Sequence, residues 1–328
     1  MPSITDPSPS LAAPAAMVPH GRPDKLSGIA LAAFGAIAFS GKAIIVKLGF
    51  RHGADAITLI ALRMAVAVPF FAAIAWYAST RPGVVRLSRG DRAKVALLGF
   101  LGYYLASYLD FLGLEYVSAS LERLILYLNP TLVLLIGLFV FGRRVTGRQI
   151  VALVLGYGGV VLAFAHDLHV GGGSIALGSL LVFGSALAYA IYLVGSGELL
   201  RRVGTVRLTA YASCVAAVCC LLHFALTRPI GLLFALPAPV YWLSILNGTV
   251  CTVLPVFAVM MAVGRLGASV ASQIGMIGPV STIALADLLL DERMGPTQVV
   301  GTVLVLVGVF VVSQSRVRTP TAPLKNAI

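Results

Sequence analysis

The sequence predicts an all-α membrane protein whose ten transmembrane helices form two inverted-topology repeats of five helices each. Three observations lead to this fold class. Hydrophobic residues make up 59% of the 328 residues and charged residues only 11%, whereas soluble domains carry about 25% charged residues. The apolar residues form ten runs, each close to the ~20 residues that a helix needs to cross a bilayer. Finally, the second half of the chain repeats features of the first half.

The ten apolar runs follow one another with short connections. They are residues 27–49, 55–78, 94–115, 118–141, 149–166, 174–198, 207–227, 239–263, 268–290 and 297–313. The first repeat is therefore expected at 27–166 and the second at 174–313. Residues 1–26 are rich in Pro, Ser and Ala and lack the apolar core of a signal peptide. They predict a disordered cytoplasmic tail, and residues 314–328 predict a second cytoplasmic tail.

Basic residues predict the orientation of these helices. If the N-terminus is cytoplasmic, most Lys and Arg residues fall in inside connections, as with Arg86, Arg144 and Arg202, whereas the outside loops hold few. This is the positive-inside bias of membrane proteins, and it places both termini in the cytoplasm. The net charge of +12 is spread over these connections and forms no single patch. We therefore expect the lipid bilayer, and no nucleic acid, as a partner.

An internal repeat appears when the sequence is shifted by 149 residues. Pro130 then aligns with Pro279, and Gln149 aligns with Gln298. Each copy holds five helices, and because five is odd the second copy must enter the membrane from the opposite side. Inverted repeats of this kind are characteristic of secondary transporters that alternate access around a site near the membrane midplane.

Both copies resemble a known family. The first copy contains "GLEYVSASLERLILYLNPTLVLLIGLFVFGRRVTGRQIVALVLGYGGVVL" and the second contains "GASVASQIGMIGPVSTIALADLLLDERMGPTQVVGTVLVLVGVFVV". These runs resemble the EamA family of the drug/metabolite transporter superfamily, with a Pro-centred helix, a short turn and a Gln that opens a Gly-spaced helix. The second copy keeps the Glu of the turn as Glu292, whereas the first has Arg143. The resemblance covers about residues 27–313 and implies two five-helix bundles around a substrate cavity, with transport that needs no ATP.

Charged residues inside the apolar runs are candidate site residues. Lys42, Arg63, Asp110, Glu122 and Arg123 are all expected in the outer third of the first repeat. They fit a structural ion-pair network, which offsets the cost of burying charge. They also fit an outer gate in which Lys42, Arg63 or Arg123 meets a substrate carboxylate. A third alternative makes Glu122 or Asp110 a proton carrier, although neighbouring cations favour ionised carboxylates. We expect Glu122 to pair with Lys42 or Arg63, and Arg123 to reach Asp110.

Two polar stripes supply further candidates. The stripe of the sixth helix comprises Ser185, Tyr189, Tyr192 and Ser196. The third helix adds Tyr104, Ser107 and Tyr108. The spacing of three and four residues places the members of a stripe on one helical face. Such a face either forms hydrogen bonds between helices or lines a cavity for a small polar or aromatic solute.

Pro130 and Pro279 are expected in the middle of the fourth and ninth helices. Each proline removes one backbone hydrogen bond and frees a carbonyl group. The result is either a static kink or a hinge that lines the cavity, and recurrence in both copies favours the hinge. Gly residues at 156, 158, 159, 301 and 308 are expected to let the fifth and tenth helices pack closely.

The sequence offers no catalytic, cofactor or metal site. The four cysteines lie in apolar runs, and "HDLH" at residues 166–169 is the only short cluster of metal-capable residues that stands out. The predicted function is therefore a secondary transporter that moves an amino acid, an amine or a related solute across a bacterial-type inner membrane, in the direction of efflux. A coupling proton or an exchanged solute is a further candidate partner. The alternatives are a membrane enzyme or lipid-handling protein, and a membrane scaffold without transport activity.

Overall fold

The computed structural model describes residues 25–81, 84, 86–142, 146–171, 174–266 and 268–314. Within them the chain forms ten long helical segments in the predicted order, besides the short helices Gly197–Val203 and Ile230–Phe234. Seven are α1 (Lys25–Arg51), α2 (Ala56–Thr80), α3 (Arg89–Gly113), α5 (Gly147–Gly171), α6 (Ser174–Gly195), α7 (Thr205–Thr227) and α10 (Pro296–Gln314). Two are broken: α4 into α4a (Ala119–Leu126) and α4b (Asn129–Phe141), and α9 into α9a (Ala268–Gly275) and α9b (Ile277–Leu290). The last, α8, comprises Ala238–Gly248, the π turn Thr249–Val253 and Leu254–Leu266.

These segments have the length and composition of membrane helices. Among the described residues, nine are long and apolar enough to span a bilayer, and the tenth has a shorter apolar stretch, Pro296–Val311. Large apolar side chains such as Trp76, Phe139 and Leu226 are exposed on the outside of the bundle, where lipid provides an apolar solvent. The predicted fold class is confirmed. The predicted tails fall largely on residues 1–24 and 315–328, which lie outside the described residues.

Capping residues explain where several helices begin. Ser88 and Asp91 form a capping box at the start of α3, in which each side chain accepts a hydrogen bond from the other residue's backbone N–H. This polar first turn places the start of α3 at Arg89, five residues before the start that hydropathy predicts. Asp55 caps α2 through Thr58 N at 2.9 Å, and Ser118 caps α4a through Leu121 N at 3.0 Å.

The two repeats run through the membrane in opposite senses. We call the end of the bundle where α1 begins the Lys25 face and the end where α1 finishes the Arg51 face. At the Arg51 face, Arg51 donates a hydrogen bond to the carbonyl of Leu290 at the end of α9b, and Asp55 pairs with Arg228 just after α7. Successive segments alternate in direction, so α1 begins at the Lys25 face and α6 begins at the Arg51 face, as the inverted repeat predicts.

Helices α5 and α10 pack against each other through glycines. A Cβ atom added to Gly159 would lie 2.4 Å from the Gly301 carbonyl oxygen, and one added to Gly301 would lie 2.5 Å from the Gly159 oxygen. A Cβ on Gly308 would lie 2.8 Å from the oxygen of Ala152. Gly158 differs, because nothing lies within 4 Å of its added Cβ. The expected close packing is therefore present, and Gly158 takes no part in it.

The orientation in the membrane gives a first testable prediction. Reporter fusions after Arg86, Arg144 and Arg202 should report the cytoplasm, and a fusion near Gly172 should report the opposite side, because positive charge disfavours translocation of short loops. Paired phosphatase and fluorescent reporters measure this directly. An external signal after Arg202 would contradict both the orientation and the alternation of the ten segments.

Candidate functional site

A cavity of about 480 Å³ lies between the two repeats. It is lined by residues of α1 to α4 in the first repeat and of α6 to α8 in the second. One end holds the side chains of Lys42, Arg63, Asp110 and Arg123. The lining extends to Thr205, the exposed first residue of α7 at the Lys25 face. The cavity therefore has a charged end deep in the first repeat and a second end that approaches the Lys25 face.

Lys42 is shared between two carboxyl groups at the charged end. Its Nζ lies 2.5 Å from Oδ2 of Asp110 and 3.7 Å from Oε1 of Glu122. Asp110 and Glu122 are 1% and 0% exposed, so both carboxyl groups depend on protein partners. The geometry agrees with the expected pairing of Glu122 with Lys42, but the closer partner of this lysine is Asp110.

Arg123 donates hydrogen bonds to two uncharged acceptors. Its Nε donates to Oγ1 of Thr282 at 3.0 Å, and its terminal nitrogen donates to the carbonyl oxygen of Phe39 at 2.9 Å. The Nε also lies 4.0 Å from Oε2 of Glu122, at the outer limit of an ion pair. The expected contact of Arg123 with Asp110 is not among the ion pairs of the described residues, because the guanidinium turns toward α1 and α9b instead.

Arg63 has no carboxylate partner within 4.0 Å among the described residues, although it is only 4% exposed. One terminal nitrogen donates to Oγ of Ser107 at 3.0 Å, and the guanidinium lies 4.8 Å from the centre of the Phe111 ring. Its Nε is buried and finds no acceptor in the described part of the chain. A buried guanidinium with an unused donor that lines a cavity is suited to bind an anionic group.

The polar stripe of α6 is divided between the cavity and the interior. Ser185 and Tyr189 line the cavity. Tyr192 is 4% exposed and packs its ring edge-on against Tyr103 at 5.1 Å between centroids. Ser196 lies beyond the end of α6. The shared helical face therefore extends further than the cavity does, and Tyr192 acts in the packing between α3 and α6.

The residues of the α3 stripe lie on two different faces of the helix. Tyr104 and Tyr108 point toward α7, where the Tyr104 hydroxyl is 2.9 Å from Nδ1 of His223 and the Tyr108 ring lies 4.8 Å from the His223 ring. Ser107 lines the cavity together with Tyr103, four residues before it. Of the three cavity residues expected on α3, Ser107 lines the cavity, whereas Tyr104 and Tyr108 do not. The π turn Phe100–Leu105 changes the helical register at this point.

A second π turn, Thr249–Val253 in α8, begins at the position of the second repeat that corresponds to Phe100. Neither turn is predicted from the sequence. π turns often occur at functional sites, and Gly102 and Cys251 within these turns line the cavity. The signal that could have located them is the repeat shift itself, since Gly99 and Gly248 precede the two turns at equivalent positions.

Helices α4 and α9 are each divided close to the proline at which the sequence predicts a kink or a hinge. Pro130 is the second residue of α4b and Pro279 the third residue of α9b. Each proline thus starts a new helix after a break, a position at which a missing N–H is tolerated. Both repeats carry this break at equivalent positions, as expected for a pair of hinges.

The carbonyl groups freed by the two prolines accept hydrogen bonds from side chains. Four residues before the first proline, Leu126 O accepts from Nδ2 of Asn129 at 2.7 Å. Four residues before the second, Gly275 O accepts from the hydroxyl of Tyr127 at 2.8 Å. Tyr127 belongs to the break in α4, so its hydrogen bond joins the two breaks. Asn129 and Tyr127 also line the cavity, and neither was among the predicted site residues.

The hinge hypothesis predicts that Pro130→Ala and Pro279→Ala each slow transport severalfold while the folded yield stays similar. Alanine supplies the N–H that closes the helix, and a continuous helix bends less readily. Transport of the metabolite identified by profiling, normalised to protein in the membrane, would measure the effect. Pro69→Ala is the matched control, since Pro69 is an exposed proline within the continuous α2. Wild-type transport rates in both hinge variants would reduce the breaks to static kinks.

Polar contacts join α4a to its neighbours at the Arg51 face. Oε2 of Glu292 accepts from the backbone N–H of Ala119 at 2.9 Å, and Oε1 lies 3.1 Å from Nζ of Lys47. Oδ2 of Asp167 accepts from the hydroxyl of Ser118 at 2.6 Å, and Oδ1 accepts from the side chain of Gln298 at 2.5 Å. These contacts connect α4a with α1, α5 and the second repeat.

An ion pair closes the same face between α2 and α7. Nε of Arg228 donates to Oδ2 of Asp55 at 2.7 Å. Partial burial raises the pKa of the Asp55 carboxyl, but hydrogen bonds from Thr58 and the interaction with Arg228 outweigh it and hold the pKa below its usual value. Asp55 therefore stays ionised at neutral pH and retains Arg228 as its partner.

Comparison with known proteins agrees with this architecture. A model of the EamA-like transporter family matches residues 26–165 and again residues 176–314. The uncharacterized transporter YcbK of Bacillus subtilis (strain 168) is 32% identical over 283 residues, which cover 81% of this chain and 86% of YcbK. An uncharacterized transporter of Archaeoglobus fulgidus is 26% identical over 262 residues, covering 79% of this chain and 89% of the relative. A solved crystal structure is similar in fold, with a TM-score of 0.61 at 17% identity over 90% of this chain and 99% of that chain.

Proposed function

Because the chain belongs to the EamA-like transporter family, we propose that it is a secondary transporter that moves a small metabolite across the inner membrane by alternating access. The proposed substrate is an amino acid, an amine or a related solute, and the proposed direction is efflux. The observation that carries this proposal is the cavity of about 480 Å³ between the repeats. Its volume falls in the range of small-molecule sites, and its charged end offers both acidic and basic groups.

Arg63 is the best candidate for binding a carboxylate of the substrate. Of the three cations at the charged end, Lys42 is paired with Asp110 and Arg123 donates to Thr282 and Phe39. Of these three, only Arg63 has a buried side-chain nitrogen without an acceptor among the described residues. A planar guanidinium binds carboxylates through parallel hydrogen bonds, which fixes the orientation of the bound group.

Alternating access is supported by the unequal closure of the two faces. The contacts of Glu292, Asp167 and Asp55 tie helices together at the Arg51 face, whereas the cavity lining reaches Thr205 at the Lys25 face. The Lys25 face carries the connections predicted to be cytoplasmic. In this conformation a substrate would therefore enter from the cytoplasm, as the first step of efflux requires.

Metabolite profiling of cells with and without the gene tests the transport function. An exporter of a small solute should raise one or a few compounds in the medium and lower them in the cells when the protein is produced. The compounds should carry a carboxyl or amino group and should fit the cavity. Identical profiles under conditions in which the protein is present in the membrane would contradict the proposal.

The role of Arg63 makes a further prediction. Arg63→Gln should reduce export of a carboxylate-bearing substrate by about tenfold or more, because a hydrogen bond to a charged group contributes roughly 1.5–3 kcal/mol. Arg63→Lys should recover only part of the activity, since lysine cannot form the planar bidentate contact. Export rates at several substrate concentrations measure the effect. Equal export by all three proteins, normalised to membrane level, would remove Arg63 from the binding site.

A further inference from the structure

Glu122 is a buried carboxyl group with unsatisfied oxygens. It is 0% exposed, and neither of its carboxylate oxygens accepts a hydrogen bond within the described part of the chain. An ionised carboxyl in such a position is costly, because burial removes water without replacing its hydrogen bonds. The two nearest cationic groups, Lys42 and Arg123, each have a closer partner elsewhere.

Asp110 lies closer to the shared Lys42 than Glu122 does. Its Oδ2 lies 2.5 Å from Nζ of Lys42, whereas Oε1 of Glu122 lies 3.7 Å from the same atom. The other oxygen of Asp110, Oδ1, has no donor among the described residues, and Asp110 lines the cavity. Glu122 is the less stabilised of the two carboxylates, and it does not itself line the cavity.

We propose that Glu122 binds the proton that is exchanged for the substrate, and that Lys42 and Asp110 connect this proton site to the cavity. The proposal rests on the proposed transport function and adds its coupling ion. When Glu122 is ionised, it shares Lys42 with Asp110. When Glu122 takes a proton onto one of its oxygens, Lys42 becomes the partner of Asp110 alone.

The charge at the end of the cavity changes with this proton. With Glu122 ionised, the three cations and two carboxylates at this end of the cavity carry a net charge of +1. With Glu122 protonated, the net charge rises to +2, and the added positive charge disfavours an ammonium group of the substrate beside Asp110. A proton on Glu122 and an ammonium group of the substrate beside Asp110 therefore disfavour each other. Competition of this kind is what exchange of a proton for an exported solute requires.

The surroundings of Glu122 include the charged and titratable groups of each helix that packs near it. Lys42 on α1, Asp110 on α3 and Arg123 on α4a interact with Glu122 itself. Arg63 on α2 interacts with Asp110, and Cys251 on α8 with the three cations. Thr282 of α9b contributes only a hydroxyl, which binds Arg123. Protonation of Glu122 leaves all of the hydrogen bonds of Arg123 and Asp110 described above in place. The proton can therefore bind and leave without a large rearrangement of the cluster.

Infrared difference spectroscopy of the full-length protein tests the proton site directly, with the proton itself as the probe. Spectra of the purified wild type at acid and alkaline pH should show a protonated carboxyl band of a buried group, shifted in D₂O. Glu122→Gln should lose this band, and Glu122→Asp should shift it. Glu115→Gln is the matched control, because Glu115 is exposed at the Arg51 face and its removal should leave the band unchanged.

Two results would overturn the proposal. One is a band of equal intensity in wild type and Glu122→Gln. The other is an unshifted band in Glu122→Asp. This second variant still tests the proposal if Glu122→Gln does not fold. Failure of the transport function looks different: profiling would find no exported metabolite while the Glu122 band stayed present. An exported metabolite without a Glu122 band would contradict the proton site and leave the transport function standing.

Discussion

Lys42→Met is expected to lower the folded yield and thermal stability more than other single substitutions at the charged end of the cavity. The change removes the cation that lies 2.5 Å from Asp110 and 3.7 Å from Glu122. Two buried carboxylates then face each other without their shared partner. Breaking a buried ion pair in this way costs about 3–5 kcal/mol. Thermal unfolding of the purified protein in detergent, together with the monodisperse fraction on size exclusion, measures the loss.

Rescue identifies the cause of this loss. Adding Asp110→Asn to Lys42→Met should recover part of the stability, because only one carboxylate then remains without its partner. Lys42→Arg should remain close to wild type in stability, since it keeps the charge. Lys47→Met is the matched control: Lys47 pairs with Glu292 at 3.1 Å in a more exposed position, and its loss should cost less. A Lys42→Met protein as stable as wild type would show that the cluster does not depend on this cation.

Gly159→Ala should destabilise the contact between α5 and α10. The added methyl group would lie 2.4 Å from a backbone oxygen of Gly301, so the two helices must move apart. Overpacking of this kind costs typically about 1–3 kcal/mol. The melting temperature in detergent and the yield of folded protein should both fall.

Gly158→Ala is the matched control on the same helix. No atom lies within 4 Å of its added Cβ, and alanine is favoured over glycine in a helix interior by roughly 0.5–1 kcal/mol. This variant should therefore be as stable as wild type or slightly more stable. If both variants behaved alike, the glycine contact between α5 and α10 would not contribute to stability.

Much of the fold can be predicted because a bilayer leaves few choices. Each crossing must be a helix of about 20 apolar residues, so hydropathy finds the ten segments and the repeat gives their opposite senses. The start of α3 is missed because its capping box, Ser88 to Asp91, is polar and looks like a connection. The positions of the irregularities in α4 and α9 are predicted because proline removes a donor at a known position, although the full division of each helix is not.

The candidate site is less predictable, since it depends on contacts between helices. Depth in the membrane brings Lys42 and Glu122 together, and the structure agrees at 3.7 Å. The partners of Arg123 lie on α1 and α9b, and nothing in the local sequence marks a backbone carbonyl as an acceptor. The sequence predicts Tyr104 as a cavity residue, whereas Tyr103 lines the cavity, because a π turn shifts the helical register. Sequence periodicity assumes a regular α-helix, which fails at such a turn.

The hydrogen bond from Tyr127 to Gly275 has a consequence for the energetics of the proposed transport cycle. The break in α4 is satisfied within its own repeat by Asn129, whereas the break in α9 depends on a hydroxyl from the other repeat. The residue equivalent to Tyr127 in the second repeat is Met276, which has no hydroxyl and cannot return the contact. Two identical repeats would give end states of equal free energy. In the proposed alternating-access cycle, a contact without a mirror image in the other repeat makes the two end states unequal in free energy.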